Sequence, residues 1–96
     1  MQYIVIYDIT ENSLRYKVSD SLKDFGLERI QFSAFSGSLT DKDLVRLEAV
    51  LREHLIKRSE TDSIVIIPIC RTCREKIQEL GEKREIFLVN QPLLFA

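Results

Sequence analysis

The amino-acid sequence predicts an α+β protein whose elements run β-α-β-β-α-β, with one extra strand near the C-terminus. Three observations carry this. Two short apolar runs, Tyr3–Ile9 and Ile64–Ile69, are rich in β-branched side chains and too short for core helices. Two segments between them repeat leucine or valine at helical spacing, Leu14-Val18-Leu22 and Leu44-Leu47-Leu51-Leu55. Between those two helices lies Glu28–Phe35, where Ile30, Phe32 and Ala34 alternate with more polar residues.

Each element has its own reason. The first strand is read as Tyr3–Asp8. The first helix follows from about Asn12 to Phe25, with Phe25 joining its apolar face and Gly26 stopping it. The alternation of the second strand is read to Phe35, and Ser36-Gly37-Ser38 then turns or kinks the chain before a short third strand. Thr40 is an N-cap for the second helix, with Asp43 three residues on. Ser63–Ile69 is the fourth strand, and Pro68 suits its end or an edge. Arg71–Leu80 is a short helical or turn segment ended by Gly81, and Glu85–Asn90 is a last strand. This order is that of a ferredoxin-like fold.

Ninety-six residues make a single domain, 1–96, with a small core. At 45% hydrophobic and 30% charged the chain is not disordered, and no apolar stretch approaches a membrane span. The initial apolar run is too short for a signal peptide, so a cytoplasmic protein without membrane attachment is expected. The net charge of −1 gives no general pull toward nucleic acid, so such binding needs a local patch. Two helices cover one sheet face only, yet the first and fourth strands are apolar on both. A second copy of the chain is the simplest lid, and a homodimer is expected, with residues 82–96 at its interface. The tail Pro92-Leu93-Leu94-Phe95 completes that dimer or meets another partner.

The residues that suggest chemistry are few. Asp8 ends an apolar strand, and burial of a lone carboxylate is costly unless it is paired or metal-bound. It reads either as a Mg²⁺ or Mn²⁺ ligand, completed by the carboxylate of a two-fold mate, or as a charge favourable to the following helix. Arg15, Lys17 and Arg29 read as phosphate-holding groups or as a solvated surface. Tyr7, Phe32 and Phe35 are aromatics near the strands. Phe32 is expected in the core, and Phe35, beside Ser36-Gly37, is expected to be the exposed one and able to stack a base. Ser33 has no His-Asp partners, and no P-loop or G-x-G-x-x-G is present. Cys70-x-x-Cys73 reads as two partly buried thiols closing a turn, with an interchain zinc site or a disulfide as alternatives.

Tyr7-Asp8-Ile9-Thr10, Leu14-Arg15 and the stretch Gly26-Leu27-Glu28-Arg29-Ile30-Gln31-Phe32-Ser33-Ala34-Phe35-Ser36-Gly37 together resemble the CRISPR-associated endoribonuclease family, the small dimeric partner of the spacer-acquisition integrase. The likeness continues through Ile66-Ile67-Pro68-Ile69-Cys70 and covers most of the chain to about Gly81. The resemblance implies a ferredoxin-like homodimer in which the two Asp8 residues face each other across the two-fold axis and share one Mg²⁺ or Mn²⁺. It implies a nuclease acting on phosphodiester bonds, most readily of single-stranded RNA. By position, Asp8 is the metal ligand, Tyr7 its neighbour, Arg15 and Arg29 phosphate-holding residues and Phe35 an active-site aromatic. Lys17 falls where many relatives carry a second arginine, so the charge is kept and the bidentate fork is lost. The resemblance also implies an architectural role, in which the dimer bridges integrase subunits and holds duplex DNA by its backbone.

Overall fold

The computed structural model describes residues 1–82. The expected last strand, Glu85–Asn90, and the apolar tail lie outside the described residues. The elements are β1 (Gln2–Asp8), α1 (Asn12–Asp24), β2 (Glu28–Gln31), β3 (Ala34–Ser38), α2 (Asp41–His54), β4 (Ser63–Ile69) and α3 (Arg71–Glu75), with a 3₁₀ turn at Leu55–Lys57. The four strands form one antiparallel sheet in the order β2-β3-β1-β4. This is the ferredoxin-like arrangement expected from the order of elements.

The helices form where their apolar spacing requires. Leu14, Val18 and Leu22 of α1 and Leu47 and Leu51 of α2 are buried, with Phe25 and Leu44 packed at the margin. Thr40 caps α2, its Oγ1 accepting the Asp43 N–H at 3.0 Å. Gly26 follows α1 at φ 89°, a conformation that only glycine adopts readily.

The core is one layer between the helices and one face of the sheet. Along β1, Tyr3, Val5 and Tyr7 are buried toward the helices. Ile4, Ile6 and Asp8 therefore point to the opposite face, because successive strand residues alternate. The pairs Ile4↔Ile67, Ile6↔Val65 and Asp8↔Ser63 put β4 side chains on that same face. Ile6 and Val65 are 43% and 50% exposed, so α1 and α2 leave this face apolar and open, as expected.

The β2–β3 hairpin departs from the expectation. The chain turns at Phe32-Ser33, and Ala34–Ser38 is strand throughout, so Ser36-Gly37-Ser38 is no turn. Gly37 is there for clearance, since a Cβ on it would lie 2.6 Å from Leu27 Cδ2 and 3.2 Å from Leu27 Cα. A bulge between Arg29 and Gln31 shifts the register of β2 against β3. The earlier turn exchanges the two phenylalanines: Phe32 is 83% exposed at the hairpin tip and Phe35 is fully buried.

Candidate nucleic-acid interface

Asp8 ends β1 as an exposed carboxylate on the open sheet face. No described residue gives it a hydrogen bond or an ion pair. Among the described residues no group of three or more His, Cys, Asp or Glu side chains is placed to hold a metal ion. Among the described residues, Asp8 is thus an unpaired carboxylate on this face, which suits a hard cation that keeps most of its waters, provided a second copy brings another.

Tyr7 precedes Asp8 and points the other way. It is 4% exposed, and its ring stacks on Phe35 with centroids 6.2 Å apart. Its backbone N–H donates to the Ser33 carbonyl at 3.0 Å and pins the hairpin tip to β1. Beside it opens a cleft of about 300 Å³, lined by Tyr7, Arg15, Tyr16, Ser19, Arg29, Phe32 and Ser33. The cleft therefore sits between the start of α1 and the β2–β3 hairpin, on the helix side of the sheet.

Two cations are fixed there. Arg15 Nη1 donates to the carbonyls of Ile9 at 3.1 Å and Thr10 at 3.4 Å, which holds the β1–α1 loop. Arg29 is opposite Phe35 in the hairpin register, and its guanidinium carbon lies 4.9 Å above that ring. Arg29 Nη1 also donates to the Phe32 carbonyl. Each guanidinium carries five donors, so both retain N–H groups for a phosphate.

The expected site residues thus divide. Tyr7, Arg15 and Arg29 come together around the cleft, with Phe35 beneath Arg29. Asp8 lies on the other face of the sheet. Lys17 does not join the arginines; it lies in a separate groove with Leu14, Glu53, His54 and Lys57. Helix residues two positions apart are rotated by about 200°, so Arg15 and Lys17 look in opposite directions. The expectation of an exposed Phe35 is corrected: it is a buried support for Arg29, and the exposed aromatic is Phe32.

Sequence reasoning passed over Asp62. Its carboxylate is buried in the loop before β4 and accepts from the Thr10 N–H at 2.9 Å, the Thr10 hydroxyl at 3.1 Å, the Ser59 N–H at 3.0 Å and the Ser59 hydroxyl at 2.8 Å. Burial would raise its pKa, but these bonds, led by the Ser59 hydroxyl, together hold it below the ordinary carboxylate value. Asp62 straps the loop after Asp8 to the start of β4. Its only sequence signal is a lone acidic residue just before a strand, which many loops share.

Cys70 and Cys73 are free thiols, and both are exposed rather than partly buried. The Cys70 sulfur caps α3 by accepting the Cys73 N–H at 3.4 Å. That bond, followed by one from the Cys73 thiol, lowers the Cys70 pKa. The Cys73 pKa is raised in turn, chiefly by its hydrogen bond to Cys70.

The family model for CRISPR associated protein Cas2 matches residues 1–77. The chain belongs to this family. A CRISPR-associated endoribonuclease Cas2 of Korarchaeum cryptofilum is 46% identical over 70 residues, which are 73% of each chain. The crystal structure of Streptococcus pyogenes Cas2 superposes with a TM-score of 0.70 at 26% identity, covering 84% of this chain and all of the other. A Cas1/Cas2 endonuclease fusion of Thermoproteus tenax is 59% identical over 39 residues, 41% of this chain and 15% of the fusion. No helix among the described residues is long and apolar enough to cross a membrane.

Proposed function

We propose that the chain serves CRISPR spacer acquisition as a cytoplasmic homodimer, and that the two Asp8 carboxylates hold one Mg²⁺ or Mn²⁺ for hydrolysis of phosphodiester bonds in single-stranded RNA. The observation that carries this reading is Asp8 itself: an exposed carboxylate, unpaired among the described residues, on the apolar sheet face that α1 and α2 leave open. A mate packed on Ile4, Ile6, Val65 and Ile67 would carry its own Asp8 on the same surface. Bound there, the metal would supply Lewis acidity, lowering the pKa of a coordinated water and offsetting phosphate charge. The chain's own part is to present the carboxylate at the strand end, where the Asp62 strap fixes the following loop, and to grip neighbouring phosphates with Arg15 and Arg29.

A second reading is favoured by the division of the site. Arg15 and Arg29 lie on the helix side, away from Asp8, so phosphate binding does not need the carboxylate. A dimer that holds duplex DNA and docks an integrase uses the arginines alone, and the fused relative supports a Cas1-type integrase as that partner.

The test is cleavage of labelled single-stranded RNA and of duplex DNA by wild type and Asp8→Ala, each with Mg²⁺ and with EDTA. Metal-dependent cutting by wild type alone supports the nuclease. Equal cutting by both proteins removes Asp8 from the reaction. Salt-sensitive duplex binding without cutting by either supports the scaffold.

A further inference from the structure

We propose that Phe32 and Tyr16 form a stacking platform for an unpaired nucleobase at the mouth of the cleft, so that the protein grips single-stranded nucleic acid by a base as well as by its phosphates. This rests on the nucleic-acid reading above and adds to it a ligand class and two residues.

Phe32 is the first argument. The buried aromatics Tyr3, Tyr7 and Phe35 are each at most 6% exposed, whereas Phe32 is 83% and Tyr16 70% exposed. A two-residue hairpin turn ordinarily takes glycine, asparagine or aspartate, and phenylalanine gives the turn no conformational advantage. Its ring faces water on the helix side of the sheet, away from the apolar face of Ile6 and Val65.

Rigidity is the second. The Phe32 carbonyl accepts from Arg29, the Ser33 carbonyl accepts the Tyr7 N–H at 3.0 Å, and Arg29 rests on the Phe35 ring. The hairpin tip is therefore held from both sides, and its aromatic ring is presented on a fixed base. Tyr16 reaches the same cleft from α1, one residue after Arg15.

Charge and size are the third. The cleft carries two guanidinium groups with spare donors and no carboxylate among its lining residues. About 300 Å³ matches the lower end of small-ligand sites and suits one nucleotide. Arginine beside exposed aromatics is how single strands are held without regard to sequence, because every base has a π-face and every nucleotide a phosphate. In a duplex the bases are stacked on each other and out of reach, so a duplex meets only the arginines.

The test uses a short single strand carrying a fluorescent purine analogue, as RNA and as DNA of one sequence, and the matching duplex. Binding is measured for wild type, Phe32→Ala, Tyr16→Ala, Phe32→Tyr and Arg29→Gln. Wild type should quench the analogue. Phe32→Ala should weaken single-strand binding by roughly five- to a hundredfold and abolish the quench, with duplex affinity and salt slope unchanged. Phe32→Tyr should restore both. Tyr16→Ala should act in the same direction as Phe32→Ala. Arg29→Gln should weaken single strand and duplex alike and flatten the salt slope. A wild type that binds no nucleic acid overturns the function itself. A wild type that binds, with Phe32→Ala and Tyr16→Ala matching it in affinity and quench, overturns the platform alone. Phe32→Ala losing duplex as well as single strand also overturns it, since a phosphate contact would then be at stake. Equal losses on RNA and DNA fit base stacking; a loss on RNA alone assigns the contact to the ribose and overturns the stacking geometry.

Discussion

Replacing Phe35 by alanine should strongly destabilise the fold rather than remove a ligand contact. The side chain is fully buried, and a Phe→Ala change at such a site costs about 3–5 kcal/mol. That figure includes most of the packing against Tyr7, whose ring is 6.2 Å away at 29°. The cation–π contact with Arg29 adds roughly 0.5–1 kcal/mol, because the outer side of the guanidinium faces the open cleft. The expected loss is therefore about 3.5–6 kcal/mol, against a total stability on the order of 5–15 kcal/mol for a domain. Phe35→Leu keeps most of the volume and should lose only about 2 kcal/mol, the shape change plus the aromatic contacts. Urea unfolding followed by circular dichroism, at one protein concentration, reads both values. The two midpoints should fall in the order wild type, leucine, alanine, with an unchanged slope. A Phe35→Ala protein within about 1 kcal/mol of wild type that has lost nucleic-acid binding would refute this reasoning and return Phe35 to the site as a contact residue.

Asp62→Asn should destabilise the protein at neutral pH and much less in acid. The folded state lowers the Asp62 pKa, so its contribution is present above the ordinary carboxylate pKa of about 3.9 and is lost as pH falls through the lower folded value. Urea midpoints of wild type and variant should converge below about pH 4, and a constant gap between them would show that the charge of Asp62 is irrelevant to the strap. Cys70 should be alkylated before Cys73 near neutral pH, since its pKa is lowered and that of Cys73 is raised by Cys70 itself. Peptide mapping after brief iodoacetamide treatment reads the order, and Cys73 should react faster in Cys70→Ser than in wild type. Equal rates for the two thiols would deny the hydrogen bond between them.

Four of the elements were legible because each carries a strong pattern of apolar residues. The helices α1 and α2 repeat every three or four residues, and β1 and β4 are short, apolar and β-branched. The hairpin was not legible, and the reason lies in two residues. Gly37 between two serines carries the ordinary signal of a turn, but it is a strand residue made small by Leu27. Phe32-Ser33 carries no such signal and is the turn. Placing the reversal late, together with the unforeseen bulge after Arg29, puts the side chains out of phase, and a one-residue change of phase exchanges the two faces. Phe32 and Phe35 changed places for that reason. Lys17 and Arg15 are near in sequence, although the helical period separates them. Asp62 acts through Ser59, three residues before it, and through Thr10, which only the folded chain brings to it.

The alternation of β1 also decides how the two halves of the site can cooperate. Tyr7 and Asp8 are neighbours on one strand, so they face opposite sides of a single sheet, and no residue of β1 can look into the cleft and across the open face at once. A ligand that reaches both must pass around the end of the strand, where β1 gives way to the loop held by Arg15 and Asp62. A single strand can bend around that end, leaving a base against Phe32 and carrying the next phosphates toward Asp8. A duplex is stiff over such a distance, with a persistence length of about 150 base pairs. It would rest on one face and touch the arginines without the carboxylate. On the proposed function, cutting would therefore call for a single strand and holding for a duplex, on one small scaffold. Substitution at Phe32 should separate them, weakening the first and sparing the second.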